Sequence, residues 1–293
     1  MQRAVLELPE PYALEETLFS GQAFRWARHG RSVEGFLENQ PVRVTRRGRS
    51  LTVRGRFEGD LEGAVAAYLR VSDPMGQIYR DLGKDARIRA ATERWSGLHL
   101  LAQQPFETTV SFIASSASNI PKIARSIEKL CRSLGEKKAF DGRRAHAFPT
   151  ASRLARADLA TLRGCEFGYR ARYIKSAARA VAEGQVDLDR VARMPTDRAQ
   201  ETLVEGLDGV GPKVAACVLL FAMGKDDAFP VDRWVQRCVS EWYFDGARVT
   251  PKRCEAWGRE YFGPRAGYAQ QYLFHERRGG RVRSRPASRA PSG

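Results

Sequence analysis

The sequence predicts an α+β chain in which a small N-terminal antiparallel β-sheet domain precedes a mainly α-helical domain. Three observations predict it. Residues from about 22 to 55 alternate apolar and polar side chains, from Leu61 onward the apolar period lengthens to that of helices, and 293 residues suit two domains better than one. The expected boundaries are 1–103 for the sheet domain with its flanking helices, 104–278 for the helical domain and 279–293 for a basic tail.

Within the sheet region, Val42 and Val44 are followed by Leu51 and Val53, with Arg46-Arg47-Gly48-Arg49 between them as a turn. Helices are expected at 63–70, 106–116, 120–134, 169–184, 196–205, 211–223, 232–242, 251–262 and 265–275. Pro105, Pro121 and Pro251 fall at first-turn positions, where a missing N–H costs nothing. There is no internal repeat.

Composition bounds the function. Hydrophobic residues are 43% and charged residues 28%, ordinary globular usage that excludes wholesale disorder. The start, MQRAVLELPEPYALEE, carries acidic residues and no long apolar run, so neither a signal peptide nor a membrane span is expected, and the chain reads as intracellular. Cys131, Cys165, Cys217, Cys238 and Cys254 are scattered and never form CxxC, which predicts buried thiols rather than disulfides or a zinc site, and no metal or cofactor. A net charge of +15 points to a polyanion, whose binding releases counterions. Part of that charge is Arg277, Arg278, Arg281, Arg283, Arg285 and Arg289, interleaved with Gly, Pro and Ser and expected to be disordered.

The stretch from Leu203 to Val239 carries the chemistry. It reads helix, tight glycine turn, helix, loop, capped helix. Gly209 and Gly211 bracket Val210; glycines let the turn approach a ligand, and its amides at a helix N-terminus can face a phosphate. This is a helix-hairpin-helix arrangement; an ordinary two-helix turn is the plainer alternative. On the second helix, Ala215, Val218, Leu219 and Ala222 share one face, while Lys213, Cys217 and Phe221 line the opposite one. Only Lys213 is polar. A helix apolar all round is buried, and burial together with the helix dipole would favour a neutral, nucleophilic amine; a lysine in solvent or on a phosphate is the alternative. Nineteen residues on, Pro230-Val231-Asp232 precedes an amphipathic helix, which Asp232 would cap. One carboxylate oxygen could also face a developing positive charge.

These residues resemble the 8-oxoguanine DNA glycosylases of the helix-hairpin-helix superfamily. Ser20-Gly21-Gln22-Ala23-Phe24-Arg25-Trp26 is similar to that family's SGQ-x-FRW segment, Phe112 to Ile120 to its FICSSNNNI helix, and Gly168 to Tyr173 to its GYRARY segment. Gly263-Pro264, Ala266-Gly267, Ala269-Gln270 and Leu273-Phe274 resemble its C-terminal helix. The resemblance implies that Lys213 attacks C1′ and that Asp232 stabilises the oxocarbenium and orients the amine. It implies a flipped base stacked between Cys217 and Phe274, with Phe221 in the same pocket. Gln270 would bond its Watson–Crick edge, and the Gly21 carbonyl would accept the N7 proton that guanine lacks. It further implies DNA contacts by Asn119, Tyr169, Arg170, Lys122 and the hairpin residues Gly209, Val210 and Gly211. Tyr169 would be the wedge, with Arg170 and Lys122 facing the orphaned base. Ala117 stands where the family has an asparagine, Lys122 replaces an arginine and Trp234 a histidine. Cys238 and Cys254 do not make the four-cysteine group of the iron–sulfur branch.

The expected partner is double-stranded DNA containing oxidised guanine, bound by a monomer with no membrane association. The expected activity is lysine-imine base excision with strand nicking by β-elimination. Two other readings share parts of this pattern: a glycosylase for another damaged base, and a non-catalytic DNA-binding module that uses only the hairpin.

Overall fold

Alternate residues of Ser32–Leu37 and of Ser50–Gly55 turn inward, because alternation places one apolar face of a strand on a core. The structure, a computed structural model, describes residues 1–282. The first domain runs β1 (Gln2–Glu7), α1 (Leu14–Phe19), β2 (Ala27–His29), β3 (Ser32–Leu37), β4 (Gln40–Arg47), β5 (Ser50–Gly55) and α2 (Leu61–Tyr68). Its strands form one antiparallel sheet in the order β1-β5-β4-β3-β2. Arg47 pairs with Ser50 across a two-residue turn in which Gly48 has φ +59°, a conformation a side chain would strain. The edge strand β1 lies outside the expected strand-rich region. Only Ala4 and Leu6 of it are buried, too short a pattern to read.

The helices that follow are α3 (Met75–Leu82), α4 (Ala86–Arg94), α5 (Pro105–Ala114) and α6 (Ile120–Leu134). A hairpin of β6 (Lys137–Phe140) and β7 (Arg143–His146) interrupts them. Then come α7 (Ala151–Arg156), α8 (Leu159–Gly164), α9 (Arg170–Ala182), α10 (Leu188–Ala192), α11 (Thr196–Gly206), α12 (Pro212–Ala222), α13 (Arg233–Tyr243), α14 (Pro251–Phe262) and α15 (Ala266–Val282). The nine helices expected from the sequence are all present, within a few residues at most ends. Besides β1, the unexpected elements are short helices and the β6–β7 hairpin. That hairpin reaches back to the sheet, where the Phe148 amide donates to Asn39 Oδ1 at 2.7 Å. Among the described residues no helix is long and apolar enough to cross a membrane.

Two apolar clusters result. One lies under the sheet and holds Leu18, Val42, Val53 and Leu61. The other fills the helical array and includes Ile78, Leu82 and Ile88, so α3 and α4 pack with the helices although they precede residue 103. The two halves are tied by Arg70, whose guanidinium makes two bonds to Asp226 at 2.8 and 2.6 Å and a third to Asp73 at 2.8 Å. Tyr268 on α15 donates to the same Asp73.

Helix α15 corrects the expected tail. It continues through Gly279 to Val282, so Arg277 and Arg278 are helical, and Arg277 is bound to Glu241. Trp95 sits against Gly279, where a Cβ would come within 2.7 Å of its ring, so the glycine is a packing residue and not a helix stop. Arg283, Arg285 and Arg289 lie outside the described residues.

The cysteines give a stability prediction. Burial pushes the thiols of Cys131, Cys238 and Cys254 up to about 12 and that of Cys217 to about 11, from an ordinary value of 9.0. A raised folded value means that the folded state holds the proton more tightly. The contribution is intact below pH 9.0 and is lost as pH rises through about 11 to 12, by up to about 1.4 kcal/mol per pH unit for each thiol. Urea midpoints measured from pH 8 to 11 should therefore fall above pH 9, and Cys254→Ala should flatten the fall.

Candidate active site

Five segments of the chain converge on one cavity of about 260 Å³. From α12 come Lys213, Cys217 and Phe221, the face that helical spacing had set apart. Asp232 comes from the N-terminus of α13, Gln270, Phe274 and Arg278 from α15, Gly21 from the turn after α1, and Asn119 from the cap of α6.

Lys213 stands in the first turn of α12, one residue beyond Pro212, and its Nζ donates to Ser115 Oγ at 3.0 Å. The amine also lies 5.1 Å from the centroid of the Phe112 ring, a cation–π distance. Asp232 caps α13 through a single oxygen: Oδ1 accepts from the Trp234 and Val235 amides at 2.9 and 2.8 Å. The cap therefore leaves Oδ2 unused. Among the described residues Lys213 and Asp232 do not bond to each other, which leaves room between them. Cys217 feels both, since Lys213 pulls its thiol value down and Asp232 pushes it up, but burial dominates and the thiol stays neutral at physiological pH.

The rest of the cavity wall is built by other means. Gly21 has φ +93°, a conformation that favours glycine, and a Cβ there would also press on Ile120 Cδ1 at 2.6 Å, at the seam between the domains. Gln22 fixes this turn: it is fully buried, its Nε2 donates to His99 O at 2.8 Å and its Oε1 accepts from the Leu101 amide at 3.0 Å. Ser20 is held from the other side by Gln271, at 2.8 Å. Gln270 is 5% exposed, and its buried Oε1 has no hydrogen-bond partner. A buried orphan acceptor is costly unless a ligand supplies the donor.

A second groove runs beside the hairpin, lined by Gly209, Val210, Gly211, Tyr169 and Arg170. Gly209 has φ +81° and packs against Tyr173, which a Cβ would approach to 2.6 Å. Gly211 has nothing within 4 Å of a built Cβ, so its glycine keeps that side of the turn open. Tyr169 is 56% exposed, a large aromatic ring left in water at the groove's edge. Lys122 lies in the first turn of α6, half-buried, and its amide donates to the Asn119 cap at 3.0 Å.

Arg170 is placed differently from the expectation that it faces a base. It is 6% exposed, and its guanidinium donates to the carbonyls of Phe167, Ala114 and Ser116. Its donors are consumed by the end of α5, so it shapes the Ser115–Asn119 loop from within. Sequence reasoning also missed two residues. Ser115 holds the amine, and Arg278, which had been read as tail, reaches the cavity wall. Burial pushes the Arg278 guanidinium below its ordinary value, and Asp232 partly offsets that.

A family model described as HhH-GPD superfamily base excision DNA repair protein matches residues 110–264, and one described as the 8-oxoguanine DNA glycosylase N-terminal domain matches residues 5–109. The chain belongs to the 8-oxoguanine DNA glycosylase family of the HhH-GPD superfamily. It is 30% identical to the N-glycosylase/DNA lyase OGG1 of Arabidopsis thaliana over 88% of this chain and 75% of that protein. Among solved structures it is similar to MBOgg1 in complex with a low-affinity DNA ligand, with a TM-score of 0.90, 33% identity and 95% and 96% of the two chains covered. It is also similar to the Clostridium acetobutylicum 8-oxoguanine glycosylase/lyase in complex with duplex DNA containing cytosine opposite 8-oxoG, with a TM-score of 0.88, 31% identity and 92% and 93% covered.

One departure from this glycosylase family's pattern has a visible cost. Ala117 occupies the left-handed region, φ +51°, at an exposed position of the loop between α5 and α6. Asparagine tolerates that conformation better than alanine. Ala117→Asn should raise stability by about 0.5–1 kcal/mol, read as a higher urea midpoint; an unchanged or lower midpoint would show that the loop relaxes without strain.

Proposed function

We infer that this protein is a bifunctional DNA glycosylase and apurinic-site lyase that excises 8-oxoguanine from duplex DNA, acting as a monomer in base excision repair. One observation carries the reading: a lysine and a carboxylate converge on a cavity whose wall presents a buried acceptor without a partner, Gln270 Oε1.

Duplex DNA binds through the hairpin amides of Gly209 to Gly211, with Tyr169 inserted in the gap left by the extruded nucleotide. Flipping costs a few kcal/mol, least for a damaged base. The base enters between Cys217 and Phe274, the first a neutral thiol and the second an aromatic face. Gln270 accepts from its Watson–Crick edge, and the Gly21 carbonyl accepts from N7–H. Guanine has no proton there, so its N7 lone pair would oppose the carbonyl; a site built on a specific hydrogen bond rejects an analogue that cannot make it.

The Lys213 amine then attacks C1′. The new N–C bond forms as the glycosidic bond breaks, and the base leaves with the bonding pair and takes up a proton. Positive charge develops on the sugar opposite Asp232, whose cap bonds fix it in place beforehand, the condition for electrostatic catalysis. The sugar ring opens to an imine on Lys213. Loss of a proton from C2′ sends electrons towards the imine and expels the 3′ phosphate, which nicks the strand. A covalent intermediate divides one hard displacement into easier steps.

Borohydride trapping on a duplex with 8-oxoguanine opposite cytosine tests nucleophile and substrate together. The expected result is a covalent adduct with the wild type that is absent from Lys213→Gln and from undamaged DNA. Release of free base without an adduct would mean a water-using glycosylase. Neither adduct nor release would point to another lesion or to a binding module.

Asp232→Asn separates the two roles of that residue. Asparagine caps a helix about as well, so stability should change by less than about 1 kcal/mol, while single-turnover base release should slow by about a hundredfold or more. Equal losses of stability and rate would reduce Asp232 to a cap.

A further inference from the structure

Arg278 lies in this cavity wall within electrostatic reach of Asp232, yet nothing among the described residues bonds its guanidinium. It lies four residues after Phe274 on α15, so the two side chains share a helix face, and its guanidinium stands 5.5 Å from the centre of that ring. A Cβ built on Gly21 would be 3.6 Å from its Nη1, which puts the charged end at the seam between the domains. Among the described residues it makes no hydrogen bond or ion pair, although its neighbour Arg277 is bound to Glu241 at 2.6 Å. A half-buried group with five donors and no acceptor of its own calls for an oxygen-rich ligand.

We propose that Arg278 binds a DNA phosphate flanking the flipped nucleotide and so positions the sugar between Lys213 and Asp232. The base is the wrong target for it. Arginine favours the O6 and N7 acceptors of guanine, and oxidation turns N7 into a donor, so an arginine on that edge would reward the undamaged base. The other acceptors that an extruded nucleotide brings are its phosphates, which stay at the cavity mouth. On the α13 side of that mouth, Trp234 carries no charge, and Arg233 is exposed to solvent. Stacking on Phe274 preorganises the guanidinium for a fork-like contact, which a lysine would replace in charge but not in geometry.

The proposal rests on the extrahelical-nucleotide reading of the site but not on which base is excised. The probe is therefore a duplex carrying a tetrahydrofuran abasic-site analogue, titrated at several salt concentrations. Arg278→Gln should bind it about tenfold more weakly than the wild type at low salt. Its plot of log affinity against log salt should be shallower by about 0.9, the loss of one phosphate contact, and Arg278→Lys should restore most of that slope. A neutral methylphosphonate at one of the two flanking phosphates should weaken the wild type to the same degree and leave Arg278→Gln unaffected. An unchanged salt slope, or methylphosphonate losses that add to the Arg278→Gln loss at both positions, would overturn the proposal. A wild type that binds the analogue no better than intact duplex would overturn the extrahelical reading itself, and the proposal with it.

Discussion

Helix α12 is enclosed from Val214 to Phe221, with α5 against one side and α11 against another, and every residue in that span is buried. Burying each large apolar side chain contributes about 1.5–3 kcal/mol, so the helix is pinned more firmly than any capping bond could pin it. Such a helix can accommodate a charge only where its first turn opens. Lys213 is in that turn, and the spacing of four residues then puts Cys217 and Phe221 below it on the cavity wall. The cavity follows from the packing: Phe221 stacks on Phe112 at 5.6 Å, and the same Phe112 lies under the Lys213 amine. A core contact and the proposed nucleophile are thus set by one helix.

Asp232 must be delivered to this lysine from a loop, and loops position poorly unless their ends are fixed. Here the fixing comes from ion pairing. Asp226, six residues earlier, receives two bonds from Arg70, and its carbonyl accepts from the Gly267 amide at 2.7 Å. Gly267 is tight against Leu220, which a Cβ would approach to 2.2 Å, so α15, α12 and the loop meet at one point. Removing one partner of this partly buried pair leaves an uncompensated charge, at a cost below the roughly 3–5 kcal/mol of a fully buried pair. The network serves geometry more than stability.

Much of this was legible in the sequence where local rules coincide with tertiary ones. Helices α6 and α14 match the expected 120–134 and 251–262 to the residue, because Asn119 and Thr250 cap them and Pro121 and Pro251 follow at first-turn positions. Lys213 and Asp232 were legible for a related reason: one is the only polar residue on an apolar helix and the other its neighbour's cap. What was not legible depended on partners far away in the chain. Arg170 opens α9 in a charged stretch and looks like a surface residue, yet the carbonyl ends of α5 draw it inside. Ser115 has nothing in its local sequence to mark it as the residue that holds an amine 98 positions away. Arg278 was hidden by composition, since glycine and arginine after His275 resemble a tail, while Trp95 packing on Gly279 keeps the helix going.

On the proposed reading, labour is divided across the domain seam. The proposed reactive groups, Lys213 and Asp232, belong to the helical array, whereas Gly21, whose carbonyl we propose tests N7, hangs from the sheet domain. Its position depends on Gln22, which bonds to backbone groups of His99 and Leu101, and on Ser20, which bonds to Gln271 of α15. A carbonyl cannot be moved by a side-chain rotamer, so the only way to adjust this contact is to move one domain against the other. Ile120, packed where a Gly21 side chain would be, resists that motion. On the proposed reading, discrimination rests on rigid-body geometry, and catalysis on the placement of two side chains. Because different bonds hold each, a substitution in the Gln22 clamp should impair recognition of the base while leaving the lysine competent to form its imine.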